Sequence, residues 1–295
     1  MIHPYAGMHY AGTMAHVGRP CWVEPWNTAM LLRDTPCGAL DAAGPYPLGV
    51  LGEEADLPAG MEVLRAAGAI SVVVVADPFA APAPDRLRQA FGTLRPFKTH
   101  FTVERAAGSF APNPHHRQHI RIAGRRCRVR QVALRDHLED WCRLYADLSR
   151  RHGITGLHAF PRASFAALAE TEGLLALLAE STAGEAIAMH LWIDDGRVAY
   201  SHLAATNGEG YAAKAPYALH AAAIEHFAEC EAIDLGGGAG LADLAEDGLA
   251  LFKRGFANAA RTVHLCGQIL DEAAYARLSA GRPAAGYFPA YRAPG

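Results

Sequence analysis

From residue 48 onward, apolar and polar positions in the first half of the chain follow helix and strand periods. Residues 70–76 (ISVVVVA) form a continuous β-branched run, which is typical of a strand buried on both faces. The pattern predicts a helix at 58–67 before this strand, and a short helix at 85–91 and an alternating strand at 97–104 after it. The first half therefore has α/β character.

The second half has a clearer pattern. Apolar residues at helical spacing predict an amphipathic helix at 134–152, which Gly153 ends, and a second helix at 162–171. The next predicted elements are strands at 174–181, 186–193 and 198–205, a helix at 216–230, a short strand at 232–235, a loop with a helix at 241–256 and a strand at 262–270. This order excludes a pure sandwich and a pure helix bundle.

The length of 295 residues fits two modules or one large one. Residues 1–25 are rich in Gly, Pro, His and Met and lack a period, so we expect an N-terminal arm there. We expect a first unit at 26–125, a second unit at 126–275 and a C-terminal tail at 276–295 whose aromatic residues dock on the body.

Composition narrows the class of protein. Hydrophobic residues make up 51% and charged residues 19%, which is typical of a globular chain. A net charge of −3 argues against broad electrostatic binding of nucleic acid. One local stretch, 117–130, carries six arginines and no acidic residue, and a solvated or ion-paired segment is the alternative to a phosphate-binding role. Its candidate phosphate ligands are Arg117, Arg121, Arg125 and Arg126.

Cysteines, apolar runs and histidines indicate the compartment and the cofactors. Six scattered cysteines without a C-x-x-C pair predict reduced thiols. No stretch reaches about 18 apolar residues, so we expect no membrane span and a cytoplasmic location. The cluster of His115, His116 and His119 lies among arginines without a carboxylate or cysteine nearby, and we predict no metal site and no tightly bound cofactor.

Five short segments carry a resemblance to a known family. They are Arg117 with Ile120 and Arg121, Arg151-His152-Gly153, Tyr200-Ser201-His202-Leu203-Ala204, Asp234-Leu235-Gly236-Gly237, and residues 248–256 (GLALFKRGF). On these segments, residues 115–270 resemble the Fem-type branch of the GNAT superfamily, the peptidoglycan-bridge aminoacyltransferases and their relatives. The resemblance implies a mixed α/β (α+β) GNAT fold, in two tandem GNAT-like units of which the first is reduced.

The resemblance also implies transfer of an acyl or aminoacyl group to an amine. The donor is aminoacyl-tRNA in the bridge-forming enzymes and acyl-CoA in ordinary GNAT members. Residues 207–216 stand where GNAT enzymes bind the CoA pyrophosphate, but their glycines lie in a different register and an acidic residue separates two of them. We therefore expect aminoacyl-tRNA as donor and a small-molecule or peptide amine as acceptor, with peptide bond formation.

Two other functions stay open at this point. One is an acyl-CoA-dependent GNAT N-acyltransferase, for which Lys214, beside a predicted helix N-terminus, could hold a phosphate. The other is a catalytically silent GNAT-like binding module. The pattern leaves the oligomeric state and the identity of the acceptor open.

Lys253 is the first candidate for a functional residue. Phe252 and Phe256 flank it at helical spacing, so the cation could point towards the donor and neutralise a phosphate or the developing oxyanion. A solvated helix charge is the alternative. The predicted donor-binding residues are Arg254, Lys214, Gly236, Gly237, Phe252 and Phe256, and the glycines would permit close backbone approach or a positive φ.

His202 is the candidate base or proton relay, because an imidazole titrates near working pH. His202 and Tyr200 alternate onto one face of their strand, and His190 and Trp192 do so on the partner strand, so we expect one polar and aromatic face. Lys98 and His100, on the strand at 97–104, could reach a substrate across a cleft between the units. The candidate substrate-binding residues are Tyr200, His190, Trp192, Lys98 and His100. For each of them a structural role is the alternative.

Overall fold

The computed structural model describes residues 2–156, 159–240, 247–282 and 286–293. The chain forms two compact units, one of Met1–Phe97 with Thr262–Gly295 and one of Lys98–Arg261. These limits differ from the predicted limits near 125 and 275. The last strand pairs with residues 71–76 of the first unit, and residues 102–104 pair with 232–234 of the second. That the two units are GNAT-like repeats stays a prediction.

The strands of the described residues are β1 (Arg19–Val23), β2 (Thr28–Asp34), β3 (Leu40–Ala43), β4 (Ala69–Ala76), β5 (Thr93–Glu104), β6 (Cys127–Val132), β7 (Leu174–Ser181), β8 (Ala186–Asp194), β9 (Val198–Thr206), β10 (Ala232–Asp234) and β11 (Ala259–Ile269). The α-helices are α1 (Met8–Gly12), α2 (Leu57–Ala66), α3 (Pro84–Ala90), α4 (Pro114–Ala123), α5 (Leu138–His152), α6 (Arg162–Leu168), α7 (Gly208–Ala213), α8 (Ala215–His226), α9 (Gly248–Arg254) and α10 (Glu272–Ser279). The predicted mixed α/β class is confirmed. Residues 241–246 of the predicted loop with a helix lie outside the described residues.

In the first unit the strand order is β1-β2-β3-β4-β11, and only β3 and β4 among these neighbours run parallel within the described chain. The first 25 residues, expected to be an arm, contain α1 and β1, because Tyr5 and Tyr10 are buried and β1 pairs with β2. The C-terminal segment packs on this unit through Tyr291, whose hydroxyl lies 2.8 Å from Ser71 Oγ.

In the second unit the order is β5-β10-β9-β8-β7-β6. β9 and β10 run parallel, and their register joins Ala232 to Val198 and Asp234 to Tyr200. β9 continues to Thr206, whereas the chain after β10 follows β5: Leu235 N donates to the carbonyl oxygen of Phe101 at 2.9 Å. The two parallel strands therefore part after Asp234.

The core of the second unit lies between its sheet and α8. Trp192 on β8 contacts Phe227 just after α8, with ring centroids 5.5 Å apart, and Leu219 and Phe256 are buried in the same cluster. Burial of such large apolar side chains stabilises the fold by about 2 kcal/mol each. Within the described ranges, every helix is too short or too polar to cross a membrane.

Candidate functional site

Helix α9 is tied at both ends to the glycine-rich segment after β10. At its start, Asp247 Oδ2 accepts hydrogen bonds from the backbone N–H groups of Ala250, at 2.9 Å, and Ala239, at 2.8 Å. Burial raises the pKa of Asp247, but these backbone hydrogen bonds outweigh burial and lower it overall. Near its end, Lys253 Nζ donates to the carbonyl oxygen of Gly237 at 2.8 Å. The lysine is thus held over the point where β9 and β10 part.

Gly236 and Gly237 lie where a side chain would collide with neighbouring groups. Gly236 has φ +77°, and a Cβ there would lie 2.9 Å from Lys253 Nζ. A Cβ on Gly237 would lie 3.2 Å from the carbonyl oxygen of Thr99. The two glycines therefore supply both the positive φ and the close approach that their sequence indicates.

Asp234 and His100 form a hydrogen-bonded pair beside these glycines. Asp234 is 2% exposed, and its Oδ1 accepts from the backbone N–H of Gly236 at 2.7 Å. Its Oδ2 lies 2.8 Å from His100 Nδ1. Asp234 was part of the family motif but was not among the predicted site residues.

Lys98 and Arg254 occupy different positions relative to this group. Lys98 is buried, and its Nζ donates to the carbonyl oxygen of Ala239 at 3.3 Å. Arg254 is exposed, and its guanidinium lies 5.4 Å from the centroid of the Phe101 ring. The groups that converge here, which we call the lysine site, are Lys98, His100, Asp234, Lys253 and the backbone of residues 236–239.

Burial and the nearby carboxylates shift the pKa of Lys253 in opposite directions. Burial lowers its pKa to about 8, Asp234 and Asp247 oppose the change, and Lys98 adds to it. At neutral pH the ammonium is still mostly protonated. A cation with an unusually low pKa, placed beside a parting of strands, is characteristic of functional sites.

An aromatic cluster fixes the helix that carries Lys253. Phe252 and Phe256 pack inward against the rings of His116, Tyr217 and His220. His220 stacks on Phe256 with centroids 5.3 Å apart and an interplanar angle of 25°. The prediction that both phenylalanines face inward is met, and their role in donor binding stays a prediction.

His116 is a contact that the sequence did not predict. Its Nε2 lies 2.8 Å from the carbonyl oxygen of Phe252, and because a carbonyl only accepts, Nε2 carries the proton. Its ring lies against Gly255, where a Cβ would come within 2.2 Å of the imidazole. The same carbonyl also accepts from the backbone N–H of Gly255 at 3.2 Å, so His116 adds a second donor at the end of α9 and joins α4 to that helix.

His190 and Trp192 share one face of β8, directed at α8. His190 Nε2 lies 2.8 Å from Ser201 Oγ on β9, and its ring centroid is 4.7 Å from that of His220. Tyr200 pairs with Ile193 and so faces the opposite side of the sheet from Trp192. The expected single face is therefore wrong, because an extra residue in β9 shifts the register between Leu191 and Trp192.

His202 is the extra residue of that bulge. It is 7% exposed, and burial lowers its pKa to about 3. The expectation that His202 titrates near working pH is therefore wrong, because burial keeps the imidazole neutral. Burial also lowers the pKa of His220, which was not among the predicted site residues, to about 3, and it lowers the pKa of His190 well below its ordinary value.

The segment that joins β9 to α8 is built for packing. The Asn207 side chain accepts from the backbone N–H of Gly210 at 2.8 Å, which uses a free donor at the start of α7. A Cβ on Gly210 would lie 2.4 Å from the carbonyl oxygen of Ile187. Glu209 is exposed in the first turn, and Lys214, with φ 65°, joins α7 to α8.

The four arginines predicted to contact phosphate are exposed on and after α4. The guanidinium groups of Arg117 and Arg126 donate to backbone carbonyl oxygens at 2.6 and 3.0 Å. Within the described part of the chain, these two and Arg121 and Arg125 form no ion pair with an acidic side chain. Their charge is available at the surface, and phosphate binding stays a prediction.

The histidines of α4 also bear on metal binding. His115 Nε2 and His119 Nε2 lie 3.0 Å apart, one helical turn from each other. Among the residues that the structure describes, no group of three or more His, Cys, Asp or Glu side chains could hold a metal ion.

Comparison with known proteins identifies one domain family. Residues 114–246 match the family model described as acetyltransferase (GNAT) domain. No curated protein matches the sequence.

Solved structures share the fold at low sequence identity. The chain is similar to the C-terminal domain assigned to a lysylphosphatidylglycerol synthetase of Agrobacterium fabrum, with 13% identity, a TM-score of 0.64 and coverage of 88% of this chain and 86% of that one. It is similar to FemX with 14% identity, a TM-score of 0.62 and coverage of 84% and 85%. For L-PGS from Bacillus licheniformis the identity is 14%, the TM-score 0.55 and the coverage 90% and 93%.

Proposed function

This chain contains an acyltransferase domain of the GNAT superfamily and has the fold of the Fem-type branch, and from this premise we propose that it transfers an aminoacyl group from aminoacyl-tRNA to the amine of a small molecule or peptide. The observation that carries the proposal is the position of Lys253. Its Nζ is fixed on Gly237, beside the point where β9 and β10 part.

Lys253 has the chemistry that aminoacyl transfer needs. Attack of an amine on the ester carbonyl places negative charge on the carbonyl oxygen, which a fixed cation stabilises. The ammonium has three N–H groups, and the Gly237 carbonyl accepts from one of them. Among the described residues no other acceptor is bonded to Nζ, so the remaining donors can reach a ligand oxygen.

The segment before α8 favours a donor other than CoA. A pyrophosphate cradle needs free backbone N–H groups at a helix start and no negative charge beside them. Here Asn207 takes the N–H of Gly210, and Glu209 places a carboxylate in the first turn of α7. Both features oppose pyrophosphate binding.

Surface charge supports a tRNA donor. Arg117, Arg121, Arg125 and Arg126 lie close together in the chain and are exposed, as contact with a phosphate backbone requires. We place the protein in the cytoplasm, where charged tRNA is made. The six free cysteines are consistent with that reducing compartment.

Two classes of acceptor are consistent with the similarities of this chain. The resemblance to the Fem-type branch implies a peptide amine, and the name lysylphosphatidylglycerol synthetase indicates an aminoacylated lipid for that protein. We propose the amine because the resemblance in sequence is to the bridge-forming enzymes, and the lipid is one arm of the test.

A donor and acceptor screen tests this function. Purified protein is incubated with bulk tRNA charged with ¹⁴C-labelled amino acids, and in parallel with acetyl-CoA and longer acyl-CoAs. Acceptors are lysine, spermidine, the tripeptide Ala-Lys-Ala and phosphatidylglycerol vesicles. We expect label to move from tRNA into an alkali-stable amide. Consumption of acyl-CoA alone, or label only in an alkali-labile lipid ester, would contradict the proposal.

A further inference from the structure

We propose that His100, oriented by Asp234, is the general base that takes the proton from the attacking amine, an inference that rests on the proposed acyl transfer. Acyl transfer to an amine needs a route for that proton. The buried, neutral His202 was the base predicted from the sequence, and its pKa of about 3 makes it too weak to serve. His100 occupies a different environment.

The tautomer of His100 follows from its partner. A carboxylate only accepts, so the 2.8 Å contact with Asp234 Oδ2 means that Nδ1 carries the proton. Nε2 is then the lone-pair nitrogen, and among the described residues no partner is bonded to it. Asp234 is fixed in turn by the N–H of Gly236, so the acceptor nitrogen has a defined direction. This is the arrangement by which a carboxylate orients a catalytic imidazole.

His100 and Lys253 flank the same two glycines. A Cβ on Gly237 would lie 3.4 Å from His100 Cδ2, and a Cβ on Gly236 would lie 2.9 Å from Lys253 Nζ. The imidazole side chain is 12% exposed, which leaves it accessible to a substrate but restrained. A base and an oxyanion-stabilising cation that both lie against one backbone segment suit a single ester carbonyl bound beside that segment.

The proposed step balances. The amine nitrogen attacks the ester carbonyl carbon, and His100 Nε2 takes one of its protons while Asp234 stabilises the imidazolium. The C–N bond forms, the ester C–O bond breaks, and the ribose oxygen of the tRNA leaves with the proton from His100. Asp234 on β10 is the charged partner of His100. The other charged groups around the lysine site are Lys98 on β5, and Lys253 and Asp247 on and before α9.

Rates as a function of pH test the assignment. The variants are His100→Gln, Asp234→Asn, their double variant, and His226→Gln as a control at an exposed histidine of α8. Each is assayed between about pH 5.5 and 9 with both donors, charged bulk tRNA and acetyl-CoA, and with lysine, spermidine and Ala-Lys-Ala as acceptors. We expect H100Q to lose about 100-fold in kcat and the acidic limb of the profile, and D234N to lose at least about tenfold and to move that limb.

Three readouts separate catalysis from a structural role. Added imidazole should restore His100→Ala, the double variant should lose no more than H100Q, and H226Q should match the wild type. H100Q that keeps more than about a third of kcat with an unchanged acidic limb would overturn the proposal. If acetyl-CoA is the only active donor and H100Q loses activity with it, the result would support His100 as the base and refute aminoacyl-tRNA as the donor.

A measurement on the wild type does not depend on activity. Nitrogen-15 NMR of the His100 imidazole should show a protonated Nδ1 and an unprotonated Nε2, and D234N should alter both signals. The opposite tautomer in the wild type would overturn the assignment, even if the variants failed to fold.

Discussion

Lys253 Nζ lies 2.8 Å from the carbonyl oxygen of Gly237. This hydrogen bond joins the last turn of α9 to the segment that follows β10, and Gly236 leaves the space that the ammonium occupies. The cation therefore has a fixed place at the site, set by backbone on one side and by the aromatic cluster under α9 on the other.

Lys253 should titrate far below an ordinary lysine. The chain contains three lysines, Lys98, Lys214 and Lys253, so ¹³C-lysine labelling yields few side-chain signals. Burial lowers the pKa of Lys253 to about 8, and we expect one Cε signal to move with that midpoint and to vanish in K253M. A signal lost in K253M that titrates above about pH 10 would contradict the burial of the ammonium.

The free energy of unfolding should depend on pH in the direction that burial of Lys253 predicts. Because the pKa of Lys253 is lower in the folded chain than its ordinary value, the unfolded state binds more protons between about pH 8 and 10.5. The free energy of unfolding should therefore rise with pH across this interval, and K253M should remove that rise. Urea unfolding at pH 7.5 and 10 measures it, and equal slopes for both proteins would count against it.

Gly236→Ala should harm activity more than stability. Gly240 is the matched control, since it also has positive φ, +67° against +77°, but a Cβ there meets nothing within 4 Å. Both alanines should cost about 1 kcal/mol through backbone strain. Only G236A displaces Lys253 Nζ, the end of a flexible chain, and we expect at least a tenfold loss of kcat on the scale of a lost oxyanion donor. Equal activity of the two variants would refute the fixed placement.

Gly255→Ala should harm stability. A Cβ there would come within 2.2 Å of the buried His116 ring, which has no flexible end to move away. We expect a loss of about 2 kcal/mol from overpacking. Gly248→Ala, at the first residue of the same helix and with open space around it, should be neutral or slightly stabilising. Urea unfolding of both variants decides, and a stable G255A would mean that α4 and α9 do not meet as described.

Acid should destabilise the second unit through its buried histidines. Burial lowers the pKa of His220 to about 3, so below its ordinary value near 6.5 the unfolded state binds more protons. Stability contributed by the neutral ring is complete above about pH 6.5 and falls as the pH drops, by about 2 kcal/mol at pH 5. H220Q should remove that loss, and the exposed control H226Q should retain it. Urea unfolding at pH 7 and 5 measures this loss in each protein. A loss of unfolding free energy in H220Q equal to that of the wild type would contradict the prediction.

Local signals account for what the sequence predicted well. The strand at 174–181 has the bounds of β7, because a short apolar run between turn signals specifies a strand without reference to the rest of the fold. Phe252 and Lys253 lie in the last turn of α9 and Phe256 follows it directly, so their relative directions also follow from local spacing.

The rest of the site depends on tertiary contacts that no local pattern contains. His116 meets Phe252 across 136 residues of sequence, and His100 meets Asp234 across 134. The bulge at His202 reverses which face Tyr200 takes, and the pKa of His202 depends on burial rather than on residue type. The sequence does contain one signal for Asp234. It is a carboxylate at the end of a predicted strand, shortly before three glycines, and side chains from several elements converge at such strand ends.

The central claim is that Lys253 supports aminoacyl transfer from tRNA. The most direct measurement is single-turnover transfer of a ¹⁴C-aminoacyl group from bulk charged tRNA to the acceptor mixture of lysine, spermidine and Ala-Lys-Ala, for the wild type and K253M. We expect the wild type to form a labelled amide and K253M to be slower by about 100-fold or more. Equal rates for the two proteins, or no labelled amide from the wild type, would contradict the account.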